Sequence, residues 1–375
     1  MPSRLTARDF SMLLALAAIV AFFALRSASF LGARNLSMLV IELSITAVLA
    51  LGMLLVIVPG QIDLSVGSGV GLLGGVASVL VFQHGWPAPF AMAAVLVIGL
   101  VVWLAMGALI VKERVPSFII TLGGLLVFKG LHWLVIKNST VPVAEGGRPN
   151  LYSLLTTYYL PAPLGLALAG AVVGGTFAAQ AISWRRSAGR KAGDAGLALM
   201  KWLVFGQVLF LFVLVTNRYR GVPLACLILS AVAWGVWVLL GDTPFGRHLY
   251  AIGGNEEAAV VSGIAVDKTV ILAFGIMGMI AALTGLLQTA YAGASTTTVG
   301  SLMELDAVAA CVIGGTSLRG GRGSVLGVMF GALIMATLLN GMTLLAVAPE
   351  LKFIARGTVL ALAVWGDVRL SRARR

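Results

Sequence analysis

Apolar runs of bilayer-crossing length recur from one end of this chain to the other, and no other feature constrains its folding as much. They lie at 11–30, 37–58, 65–82, 88–111, 117–136, 161–184, 199–216, 221–240, 269–291, 302–316, 324–347 and 353–368. A stretch of about 20 predominantly apolar residues crosses the hydrocarbon core as a helix. Unsatisfied backbone groups are costly in lipid, so each run is read as helical. The expected fold is all-α, a polytopic helical membrane protein of about 10–12 transmembrane segments. Runs 65–82 and 302–316 look too short or too glycine-rich to cross alone and are expected to be broken or re-entrant. The whole chain, 1–375, is read as a single transmembrane domain.

Composition agrees with lipid as the solvent: 59% of residues are hydrophobic and 11% charged, against about 25% charged in an ordinary soluble domain. A net charge of +12 would fit nucleic acid, but the basic residues sit in short loops between the runs, as the positive-inside rule requires of a membrane protein. With the N-terminus inside, seventeen of the 26 Lys and Arg residues fall on the inner side and seven on the outer, with Lys129 and Arg356 inside runs. Cys226 and Cys311 each lie in an apolar run and read as small buried hydrophobes rather than a disulfide or zinc pair. Arg4 and Arg8 before the run Phe10–Leu25 resemble a secretory signal, but that run is long for one and lacks a clear cleavage site, so it is read as a retained first span.

Three connections are long. Lys137–Pro163, with Pro142, Gly146, Gly147 and Pro149, reads as an external loop with surface structure of its own, and Ser183–Leu197 as a basic inner linker. The third, 241–268, is more than a turn. Thr243-Pro244 opens it, Gly253-Gly254 breaks it, and Asn255 is placed to cap a short helix carrying Glu256 and Glu257 in its first turn. That helix is expected to present Ala258 and Ala259 and to end near Gly263, its small side chains suiting a groove on a partner or the headgroup layer.

A charge inside the membrane must face protein or water. Glu42 lies early in the second run, Glu304 and Asp306 open the short run 302–316, and Asp63 sits in Pro59–Ser68, where proline and glycine interrupt helicity and Asp63, Ser65 and Ser68 can cap the restarted helix. That break reads either as a bend beside a polar path or as a plain inner turn capped by Asp63. The stretch Val312–Ser324 carries five glycines, suited to tight turns and close helix crossings. The phosphate-binding pattern G-x-x-x-x-G-K-[ST] is absent, so no ATP site is expected in this chain. His84, His132 and His248 are scattered, no cluster has metal-ligand spacing, and no nucleophile–base pair can be proposed, so neither a metal nor a catalytic centre is expected. The remaining polar residues within runs are Thr121, Lys129, His132, Gln207, Gln288 and Asn340.

Four ordered stretches carry a resemblance over nearly the full length: Ile62–Ser68, Val115–Leu122, Phe245–Ile264 and Glu304–Leu318. In them the chain resembles the permease subunits of bacterial monosaccharide ABC importers, the ribose/xylose/galactose group. Glu42–Ala50, Tyr219–Pro223 and the basic insertion around Arg185–Arg190 are similar to the xylose type within it. Gln61, where the group often has a small or acidic residue, is a departure.

The resemblance implies a homodimeric permease in the bacterial inner membrane, with both termini cytoplasmic. It would dock on cytoplasmic ATPase subunits that bind the ATP and be fed by a periplasmic sugar-binding protein, carrying D-xylose or a similar pentose by alternating access. It assigns 241–268 as the coupling segment, with Asn255, Glu256, Glu257, Ala258, Ala259 and Gly263 at the ATPase contact. For a neutral polyol, hydroxyl and amide partners matter more than charges, which makes Ser65, Ser68, Thr121, Gln288 and Asn340 wall candidates and Asp63, Glu304 and Asp306 gating or structural groups. Two other readings stand beside this one: an ion-coupled secondary sugar transporter using carboxylates such as Glu42 and Asp63, and a related ABC permease for another small solute such as branched-chain amino acids.

Overall fold

The computed structural model describes residues 7–144, 146, 148–186 and 192–372. In chain order the elements are α1 (Ala7–Arg26), α2 (Ala33–Ile57), α3 (Val66–Phe82), α4 (Ala88–Lys112), α5 (Ser117–Val135), β1 (Val141–Pro142), α6 (Leu151–Thr157), β2 (Tyr159–Leu160), α7 (Ala162–Arg186) and α8 (Ala192–Asn217). They continue with β3 (Val222–Pro223), α9 (Leu224–Asp242), α10 (Pro244–Gly254), α11 (Glu256–Val261), α12 (Val266–Ala292), β4 (Ala294–Ser295), α13 (Met303–Ile313), α14 (Val325–Leu344) and α15 (Pro349–Arg372). Every apolar run of the sequence is a helix. Among the described residues eight helices are long and apolar enough to cross a membrane: α2, α4, α5, α7, α8, α9, α12 and α14. The short α3 and α13 behave as expected, and α15 carries too many charges to join the eight.

Local chemistry sets the helix starts. Proline stands immediately before α4, α5 and α9, where its missing N–H costs no helical bond. Asn150 and Ser153 form a reciprocal cap on α6, and α12 stops at Gly293, whose φ of +76° is the left-handed turn that favours glycine.

The core is built on α2 and α12, of which 78% and 72% of the most apolar stretch is buried, whereas α7 and α8 bury only 17% and 11% and lie against each other at the periphery. Backbones approach closely where side chains are missing: a Cβ on Gly99 of α4 would strike the Gly278 carbonyl of α12, and one on Gly314 would strike the backbone of Gly327 in α14. Small residues at such crossings permit the dense contact that holds helices together when the hydrophobic effect no longer does. One end of the bundle carries α6 and two antiparallel pairs, β1 with β4 and β2 with β3, and is here the loop end. The opposite end carries α10 and α11 and is here the hairpin end.

Candidate functional site

Pro59–Ser65 re-enters the bundle from the hairpin end. Asp63 is fully buried; one carboxylate oxygen accepts from the Ser65 amide at 2.8 Å and the Ser65 hydroxyl at 2.6 Å, and the other accepts from the Trp103 indole at 2.6 Å. Trp103 lies nine residues before the end of α4, about 13 Å along the helix. Asp63 is therefore not a plain turn residue at the bundle surface. Nor does it cap α3, whose N-cap is Ser65. The first turn of α5 clasps the same loop: Ser117 Oγ accepts from the Ile62 amide at 3.1 Å, and Thr121 Oγ1 donates to the Ile62 carbonyl at 3.3 Å. Ser65 and Thr121 have no exposed surface, while Ser68 is half-buried. Around Asp63 this break is a closed polar knot, in which Ser65 and Thr121 are enclosed by packing.

The second break is open. After Gly293 the chain turns back into the bundle, takes the left-handed conformation at Gly300 and Leu302, and starts α13 with Glu304 and Asp306 in its first turn. Glu304 presses against Gly67 of α3, where only the absence of a Cβ leaves room, and its Oε2 has no hydrogen-bond partner. Asp306, only 6% exposed, approaches Arg356 of α15 with Oδ1 3.2 Å from Nε. The pair is not aligned as a hydrogen bond, and neither atom has another partner among the described residues.

Asp306 and Arg356 line a cavity of about 300 Å³ toward the loop end, together with Glu42, Thr46, Gln288 and Tyr291. That is the lower end of the range for small-molecule pockets, about 300–1,000 Å³. Glu42 is held in place: its Oε1 accepts from the Tyr291 hydroxyl at 2.9 Å and its Oε2 from the Asn340 amide at 3.0 Å. Asn340 in turn accepts from Asn35 at 2.9 Å. Of the residues singled out from the sequence, the structure thus places Gln288 and Asp306 in the wall of one cavity, Asn340 behind that wall on Glu42, and Asp63, Ser65 and Thr121 in the sealed break. Tyr291, Thr46 and Arg356 were not foreseen. The signal for Arg356 was present, as a cation inside an apolar run needs a partner at depth.

The hairpin end is a second locus. Thr243 Oγ1 accepts from the Gly246 amide to start α10, a helix the sequence reading did not resolve, and Asn255 Oδ1 accepts from the Ala258 amide at 2.9 Å to start α11 as expected. One expectation is corrected: Ala259 is 3% exposed and faces inward, since one side of so short a helix must pack on the bundle. The outward face is Glu256, Glu257, Ala258, Val260 and Val261, and Gly263 ends the unit at φ +80°. A groove of about 480 Å³ beside α11 runs past Gln61, Arg114, Glu256 and Asp267. Behind it, α10 touches the end of α2 beside the first break and the glycine loop that follows α13. The Gly321 amide donates to the Val58 carbonyl at 2.9 Å, Tyr250 donates to the Gly323 carbonyl at 2.8 Å, and a Cβ on Gly253 would strike both the Val58 carbonyl and the Gly321 amide. The core of the basic linker, residues 187–191, lies outside the described residues.

Comparison with known proteins gives a consistent picture. The family described as branched-chain amino acid transport system / permease component matches residues 35–364. The xylose transport system permease protein XylH of Escherichia coli is 41% identical over 97% of this chain and 92% of its own length. Its namesake from Haemophilus influenzae is 40% identical over 95% of each chain. The ribose import permease protein RbsC of Escherichia coli is 32% identical over 95% of this chain and 92% of its own. No solved structure matches the chain significantly.

Proposed function

This chain belongs to the family of branched-chain amino acid transport system permease components, and from that premise we propose that it is the membrane-spanning subunit of an ATP-binding-cassette importer carrying a neutral monosaccharide, D-xylose or a similar pentose, across the bacterial inner membrane. It is a transport protein embedded in a membrane, and its relatives are permeases rather than enzymes. The observation that carries the sugar reading is the near-full-length similarity to xylose permeases, joined to the charge balance of the cavity. Glu42 and Asp306 are offset by Arg356 in the wall and by Lys352, which donates to the wall hydroxyl of Thr343 at 3.1 Å. A balanced wall rich in hydroxyls and amides suits a neutral polyol, whereas the carboxylate of an amino acid would compete with Asp306 for Arg356.

The hairpin end is the contact for a cytoplasmic ATPase, which binds and hydrolyses the ATP; the loop end faces a periplasmic sugar-binding protein, and two copies of the chain form the pore. The basic residues clustered by sequence on the hairpin side support this orientation, with both termini cytoplasmic. Asn255, Glu256, Glu257, Ala258 and Gly263 form or end the exposed docking helix, and Ala259 anchors it. Movement of α11 passes through α10 to Val58, beside the first break, and to the glycine loop at Gly321 that follows α13, shifting the cavity between outward and inward access. Proteoliposomes test this reading. Uptake of radiolabelled D-xylose requires the ATPase, ATP and the sugar-loaded binding protein together. Uptake driven by an ion gradient alone, or of leucine in preference to pentose, contradicts it.

A further inference from the structure

The cavity at the loop end contains hydrogen-bonding capacity that the protein does not use. Each oxygen of an ionised carboxylate can accept two hydrogen bonds. Tyr291 and Asn340 occupy one position on each oxygen of Glu42, fixing the group while leaving acceptor capacity on both. Elsewhere in the same wall, Asp306 Oδ1 and Arg356 Nε are buried without a hydrogen bond. Buried polar atoms in native proteins are nearly always satisfied. Asp306 Oδ1 and Arg356 Nε lie 3.2 Å apart as an ion pair without an aligned hydrogen bond, so this part of the cavity wall keeps bonding capacity that a ligand hydroxyl can meet.

The geometry points to a pentose site in which Glu42 accepts from two neighbouring hydroxyls, and the Asp306–Arg356 pair accepts from and donates to a third. The five residues that build it come from five helices: Glu42 from α2, Tyr291 from α12, Asp306 from α13, Asn340 from α14 and Arg356 from α15. Tyr291 and Asn340 are positioning residues that orient the carboxylate. The site disfavours a charged solute, because its two carboxylates are offset by Arg356 and, beyond the wall, by Lys352 on Thr343, and it favours adjacent hydroxyls, because a carboxylate with one free position on each oxygen grips two donors at once. Its α13 wall continues into the glycine loop that meets α10, so release of the sugar and movement of the hairpin end share one element.

The assignment rests on sugar being the cargo, and the test separates the two. In a chain with Cys226→Ser and Cys311→Ala, Thr298→Cys places a thiol in the exposed part of the wall. The rate of its alkylation by a membrane-impermeant maleimide is followed in detergent with D-xylose, a deoxypentose lacking one of two adjacent hydroxyls, or leucine. D-Xylose slows labelling, the deoxypentose does so weakly and leucine not at all. Adding Glu42→Gln, which keeps the shape, raises the sugar concentration needed by about tenfold, the cost of losing a charge-assisted bond. An unchanged monodisperse elution of the Glu42→Gln protein in detergent chromatography checks that the shift does not come from misfolding. If reconstituted transport of D-xylose is normal yet no sugar protects the thiol, this site is wrong and the proposed function stands. If leucine protects and D-xylose does not, both fall. Equal protection with and without Glu42→Gln overturns the role of Glu42.

Discussion

The two helix breaks of this bundle use similar materials to opposite ends. At Pro59–Ser65 every oxygen of a buried aspartate is bonded, to Ser65 and to Trp103, and α5 closes over the loop. At Gly293–Asp306 the carboxylates of Glu304 and Asp306 keep buried oxygens without hydrogen bonds, and Asp306 faces a cavity. A satisfied polar knot in a medium of low dielectric is rigid, because each partner is costly to release. An unsatisfied one is costly to keep and is retained where something else completes it. The first break has the character of a fixed scaffold, and the second borders a cavity with bonding capacity to spare.

Substitutions at the sealed break should do the most damage. Asp63→Leu strands the Trp103 indole and the Ser65 donors and should destabilise the bundle by about 3–5 kcal/mol, read as loss of the monodisperse peak in detergent chromatography. Trp103→Phe removes one bond and leaves a void over Gly69 and should cost about 2–4 kcal/mol in thermal unfolding, with xylose protection in the surviving protein unchanged. Asp306→Asn, by contrast, should stay within about 1 kcal/mol of the parent, because its partner Arg356 is partly solvated, while sugar protection of the cavity falls sharply. Should Asp306→Asn unfold the protein as readily as Asp63→Leu, the distinction between the breaks is lost. Glu257→Lys is the mildest for the fold: the side chain is exposed at the start of α11, so stability should be unchanged and uptake uncoupled from ATP hydrolysis. Normal uptake by that variant removes the docking role of α11.

Much of this was readable in the residues. Twelve helices follow from the twelve apolar runs, the weakness of α3 as a span from its glycines, the end of α13 from Gly314-Gly315, and the start of α11 from Asn255 standing before two glutamates. Which face of each helix looks inward was not readable. A helix apolar all round carries no periodic mark of its buried side, so Thr121 and Gln288 looked alike in sequence, although one is sealed and the other borders the cavity. Pairings across 40 residues, as between Asp63 and Trp103, or 249, as between Glu42 and Tyr291, leave no local trace. α10 escaped notice because Gly253 and Gly254 look like a break, whereas here a glycine is what lets the last turn touch the Val58 carbonyl.

The contrast between the breaks has a direct readout in water access. With Cys226 and Cys311 replaced, Ser65→Cys and Ser301→Cys each place one thiol in one break, and each variant is exposed to a membrane-impermeant thiol reagent in inside-out and right-side-out vesicles. The thiol at 301, exposed at the cavity wall, should react from one side of the membrane, and the thiol at 65, fully enclosed, from neither. Comparable labelling at 65 would mean that water reaches the first break and that its aspartate is not sealed scaffold.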